Sequence, residues 1–135
     1  MANQEEAIKQ FYASYLDTFH ASEAKAMVPF YHAPCLFITD QSVTLLSNEA
    51  EIEKLFAQVI EGLKDRNYSH SEVRDVQIKE LSGEMALFSG LAVRYTKTGE
   101  ELERLSATYT MRESNNAWQF VTVVAHSPET LVRFA

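Results

Sequence analysis

The stretch Asn48 to Lys79, NEAEIEKLFAQVIEGLKDRNYSHSEVRDVQIK, holds the change of periodicity that decides the fold. In its first half Ile52, Leu55, Phe56, Val59, Ile60 and Leu63 fall at spacings 0, 3, 4, 7, 8 and 11. That is one stripe of an amphipathic helix. Asn48 and Glu51 form a capping pair at its start, because the first turn of a helix leaves backbone N–H groups without partners. After Asn67 the pattern becomes alternation, with Val76 and Ile78 on one parity and Asp75, Gln77 and Lys79 on the other. A helix therefore hands over to a strand.

Toward the N-terminus the same spacing recurs in Ile8, Phe11, Tyr12, Tyr15, Leu16 and Phe19. It predicts a helix from Glu5 to His20, with Asn3 and Glu6 as its cap. A shorter helix is expected from Ser22, acting as N-cap, to about Phe30, and Pro34 bars its continuation. Leu36 to Ile38 and Val43 to Leu46 read as short strands around the turn Asp40-Gln41-Ser42. Toward the C-terminus three strands follow, Met85 to Tyr95, Leu102 to Arg112 and Trp118 to His126. Their connections are short and polar, which implies antiparallel neighbours.

Helices in the first half and a strand meander in the second predict an α+β fold. The helices would lie across one face of a strongly bent, mostly antiparallel sheet, as a single domain over residues 1–135. In the fifth strand Leu105, Ala107, Tyr109 and Met111 share an apolar side, while Thr108 and Thr110 share a polar one. In the last strand Trp118, Phe120 and Val124 are read as facing one way and Val121, Val123 and Ala125 the other. A strand apolar on both sides needs cover on both, so a homodimer through the sheet is expected.

The chain has 135 residues, nineteen acids against twelve bases and a formal charge of -7. A surface of that sign repels phosphate backbones and anionic lipids, so neither nucleic acid nor membrane is expected as partner. The single cysteine, Cys35, closes no disulfide within the chain, and the N-terminal residues lack a signal-peptide pattern, so the expected location is cytoplasmic. Beside Pro34 and an apolar run, the thiol is expected to be inert. The histidines at 20, 32, 70 and 126 form no i,i+4 pair, and the four glycines are dispersed. No metal, nucleotide or other cofactor is expected.

The order of these elements, with Met27-Val28-Pro29-Phe30-Tyr31 closing the short helix, Pro34-Cys35-Leu36-Phe37-Ile38 following it and Ala117-Trp118-Gln119-Phe120-Val121 in the last strand, resembles the nuclear transport factor 2-like superfamily. Within it the layout is most similar to the SnoaL-like branch that includes ketosteroid isomerases. The resemblance covers nearly the whole chain. It implies a cystatin-like cone of sheet with three helices on its concave face, and a pocket at the wide end. It also implies, at Tyr15, the tyrosine that donates to a developing oxyanion, and at Thr39 or Asp40 the general base. The third element of those isomerases, an acid beside the tyrosine, falls near Ala107 or Thr108, neither of which supplies a proton. Steroid isomerase activity is therefore not expected.

Each candidate has a plainer reading. Tyr15 is also one of six stripe residues, Asp40 a turn former, and His126 a strand-end residue before Ser127-Pro128. If His126 shares parity with Trp118, Phe120 and Val124, its imidazole reaches the pocket rim as acid, base or hydrogen bonder. Arg94 interrupts an apolar strand, and either enters the pocket or pairs with Glu103 or Glu101. His32 and His70 are read as structural. The expected site thus has Tyr15, Asp40 and His126 as polar or catalytic groups. Phe11, Tyr12, Phe19, Phe56, Tyr109, Trp118 and Arg94 would line a pocket for a small uncharged or weakly acidic organic molecule. Cofactor-free isomerisation, cyclisation, dehydration or hydrolysis would suit such a set. The competing expectations are a non-catalytic carrier and a protein interaction domain whose pocket is filled by its own side chains.

Overall fold

The computed structural model describes residues 4–134. Helix α1 (Gln4–His20) is followed by the short α2 (Ala24–Met27), which tightens into a 3₁₀ turn over Val28–Phe30. Strands β1 (Tyr31–Ile38) and β2 (Val43–Leu46) precede α3 (Glu49–Asp65). The chain ends in β3 (Tyr68–Ser82), β4 (Met85–Thr96), β5 (Glu101–Ser114) and β6 (Ala117–His126). Among the described residues no helix is long and apolar enough to cross a membrane.

The capping pair of α3 forms as its sequence dictates. Asn48 Oδ1 accepts the Glu51 N–H at 3.0 Å, and Glu51 Oε1 accepts the Ser47 N–H at 2.7 Å. The cap expected at Asn3 lies outside the described residues. Ser22 does not cap α2. The residue before that helix is Glu23, which makes no side-chain cap. Ser22 instead adopts φ 60° and donates its N–H to Phe19 O, so it stops α1 as a left-handed residue.

The six strands form one sheet in the order β2-β1-β6-β5-β4-β3. All neighbours are antiparallel except β1 and β6, which run parallel, so the sheet is mixed. The expected cone is not formed. β2 and β3 stand as the two edges with no pairing between them, and the sheet is neither closed nor strongly curled. Alternation in a sequence assigns faces to a strand, but it does not set how far the sheet coils.

The inner face of the sheet carries Phe88, Tyr109, Met111, Phe120 and Val123, packed with Ile8, Tyr12 and Tyr15 of α1 and Ile52 and Phe56 of α3. The expected two-sided alternation of β6 is corrected by a bulge. Thr110 pairs with Thr122, yet Met111 pairs with Phe120, so Val121 is the extra residue. The parity therefore flips. Trp118, Phe120 and Val123 face the helices, while Thr122, Val124 and His126 face outward. After β6 the chain passes back over β5 and β4 on the outer face, where the Phe134 N–H reaches Gln77 Oε1 at 3.4 Å.

Candidate functional site

Helical spacing puts Tyr12, Tyr15 and Phe19 of α1 on one stripe, and strand parity turns Tyr109 of β5 and Arg94 of β4 toward it. Between them lies a cavity of about 60 Å³, with Ser71 of β3 at its edge. A single water requires roughly 10–15 Å³, so the space takes a few waters or a ligand head of a few heavy atoms. Pockets for drug-sized ligands run from about 300 Å³ upward, and this cavity lies well below that range.

The polar floor is phenolic. Tyr15 Oη lies 2.6 Å from Tyr31 Oη, and the Tyr109 hydroxyl interacts with those of both Tyr12 and Tyr15. Aromatic packing fixes the rings: Tyr12 stacks on Phe88 and Tyr109 on Phe120, each at 4.2 Å between centroids. Burial pushes Tyr12, Tyr15 and Tyr31 well above the ordinary phenol value and raises Tyr109 as well. All four are neutral O–H groups near neutral pH.

Charge enters from one side. The Arg94 side chain is only 19% exposed, with its guanidinium carbon 5.9 Å from the centre of the Phe19 ring. Its Nη1 donates to Glu103 Oε2 at 2.5 Å, while Arg66 Nη1 donates to Glu103 Oε1 at 2.5 Å. Burial alone would raise the Glu103 carboxyl, but the hydrogen bonds and charges of the two arginines outweigh it and hold the group below the usual carboxylate range. At the end of α1, His20 Nε2 accepts the Ser71 N–H at 3.1 Å. Burial, with His70 nearby, lowers the His20 imidazole.

The cavity brings together Tyr12, Tyr15, Phe19, Tyr109 and Arg94 of the expected set. The pairing of Arg94 with Glu103 and its entry into the pocket both occur. The other expected residues lie elsewhere. Asp40 is exposed in the β1–β2 turn, where Thr39 Oγ1 accepts the N–H groups of Gln41 and Ser42. His126 stands on the outer face, its Nε2 2.8 Å from Thr108 Oγ1, because the Val121 bulge reverses the parity read from the sequence. Phe56 packs in the core against Tyr31 and Phe37. Phe11 and Trp118 line a separate, open groove of about 440 Å³ beside Phe30.

Tyr31, Arg66 and Glu103 complete the site, and of these the sequence singles out only Glu103, as a partner for Arg94. Tyr31 precedes a register shift between Tyr31 and Leu36 in β1, so no unbroken alternation points to it. Cys35 is buried, and burial raises its thiol to about 11, in keeping with an inert role.

A family described as NTF2-like protein (DUF6841) matches residues 4–128. No curated protein matches the sequence. Among solved structures, an NTF2-like protein with a cystatin-like fold from Novosphingobium aromaticivorans is similar at TM-score 0.78 and 15% identity, covering 96% of this chain and 89% of its own. Aln2 from a Streptomyces species gives 0.76 and 14%, covering 96% and 94%. An NTF-2 like protein of unknown function from Shewanella oneidensis gives 0.75 and 12%, covering 93% and 100%. At these identities the likeness concerns the fold. The family match spans nearly all of the element order from α1 to the end of β6, and the chain belongs to the NTF2-like family DUF6841.

Proposed function

We propose that the protein binds a small organic molecule in the cavity between α1 and the inner sheet face, with an oxygen of the ligand held by the phenols of Tyr15, Tyr12 and Tyr109. The observation that carries this reading is the convergence of buried phenolic hydroxyls and one guanidinium on a space large enough for a ligand head. Apolar walls with a few convergent polar groups are what small-molecule sites require. Tyr15 on α1 also supports the kinship with the SnoaL-like branch.

Binding without turnover is favoured over proton transfer. Among the described residues, the cavity lining contains no carboxylate or imidazole. Glu103 at the rim is held ionised by Arg94 and Arg66, which makes it a weak base, and the phenols stay protonated near neutral pH and so offer no base. Asp40 and His126, the expected bases, lie outside the cavity. The test is NMR with ¹³C-labelled tyrosine, phenylalanine and tryptophan and a panel of small oxygen-bearing molecules. Perturbations centred on Tyr12, Tyr15 and Tyr109 support the reading. Perturbations confined to the groove at Phe11 and Trp118 contradict it.

The dimer part of the reading rests on the outer face, not on β6 itself. Val43 and Leu45 of β2 are 68% and 58% exposed, and Leu45 adjoins an apolar hollow of about 200 Å³ with Leu36 and Val121. A second copy would cover this patch. Light scattering that returns a dimer mass, reduced to a monomer by Leu45→Lys, supports it, and a monomer mass for the unaltered chain contradicts it.

A further inference from the structure

We propose, building on the cavity reading above, that the ligand is an organic carboxylate and that Arg94 receives its anionic group from the rim of the cavity. Among the described residues, Arg94 is the one cation in the lining, and it is largely buried. A guanidinium carries five N–H donors in a planar fork matched to a carboxylate. Here a single one, on Nη1, is engaged in a hydrogen bond to the described protein.

The charge balance points the same way. Glu103 is shared between Arg94 and Arg66, so two cations face one carboxylate and one positive charge is left over at the rim. A ligand carboxylate can take the free edge of Arg94, or replace Glu103 there while Glu103 stays with Arg66. The phenolic floor adds O–H donors, and the field of Arg94 reaches Tyr12, Tyr15 and Tyr109. An oxyanion satisfies these donors together, whereas a neutral amide offers them less charge. The chain as a whole carries -7, so anion binding at this one point would not arise from a general attraction.

The experiment is a titration of the full chain at low salt with propionate, propionamide and inorganic phosphate, read from the tyrosine ring resonances. Arg94→Gln, Arg94→Lys and Glu103→Gln are compared with the unaltered protein. Propionate is expected to bind at least tenfold more tightly than propionamide or phosphate. Arg94→Gln should lose at least tenfold of that affinity, Arg94→Lys should keep part of it, and Glu103→Gln should gain severalfold by removing the competing anion. If Arg94→Gln fails to fold, the other two variants still decide. Propionamide or phosphate binding as well as propionate at the same resonances overturns the carboxylate class and leaves the cavity reading intact. Propionate affinity unchanged in Arg94→Lys and Glu103→Gln overturns the role of Arg94. Absence of any response from the cavity resonances overturns both readings.

Discussion

Tyr15 Oη stands 2.6 Å from Tyr31 Oη, a contact between the first helix and the first strand in which each buried phenol is the other's hydrogen-bond partner. Removal of the Tyr15 hydroxyl strands that of Tyr31 in an apolar surrounding, and removal of the Tyr31 hydroxyl leaves Tyr15 only its interaction with Tyr109. Tyr15→Phe and Tyr31→Phe should each destabilise the protein by about 1–2 kcal/mol. The double variant should cost clearly less than the sum, because no unpaired hydroxyl remains. Urea denaturation of the four proteins measures the coupling, and strictly additive losses would refute it.

The buried phenols also set an alkaline limit. Their folded-state values lie above the unfolded value of about 10, so the unfolded chain releases protons first as pH rises. Their contribution is complete below about pH 10 and is lost as pH climbs toward the folded values. Stability by urea melts should be level approaching that pH from below and fall above it. Phenolate absorbance from these residues should appear together with unfolding, and its appearance in the folded protein would contradict their burial.

His20 acts in the opposite direction. Its folded value is lowered, chiefly by burial, so below the unfolded value of about 6.5 the unfolded chain gains protons first. The hydrogen bond to the Ser71 N–H therefore contributes above that pH and is lost as pH falls through the folded value. The protection of the Ser71 amide, its exchange rate relative to the intrinsic base-catalysed rate at each pH, should fall on acidification. His20→Asn should leave that protection with a flatter pH dependence, and an unchanged profile would exclude His20 as the cause.

Gly90 lies where β4 approaches the broken register of β3. A Cβ at that position would meet Val73 Cγ1 at 2.8 Å, and the stiff valine cannot swing away without leaving its rotamer. Gly90→Ala should cost about 1–3 kcal/mol by overpacking. Val73→Ala in the same chain should recover part of the loss in thermal melts. A neutral Gly90→Ala would show that the strands adjust freely.

What the sequence discloses follows from what a repeating pattern encodes. The stripes of α1 and α3, the Asn48–Glu51 cap and the apolar side of β5 are local regularities, and each takes shape as read. A single inserted residue, Val121, leaves no mark in composition but reverses every side chain after it, so His126 moves to the other face. The curl of a sheet is likewise not periodic information, and the open order of the strands replaces the expected cone. At the site, the α1 stripe and the parity of Arg94 foretell half of the cavity. Tyr31 is hidden behind an irregular strand start, and Asp40 draws attention by alignment with a distant branch although its neighbours Gln41 and Ser42 already describe a turn.

The most direct measurement of the central claim is a crystal structure of the protein soaked with short oxygen-bearing molecules, acetate, propionamide and isopropanol. The account predicts at least one of them in the cavity beside Arg94, with an oxygen within about 3 Å of the Tyr15 or Tyr109 hydroxyl. Density that places every one of these molecules elsewhere, with α1 closed down on the sheet and the four phenols bonded only to one another, would contradict it.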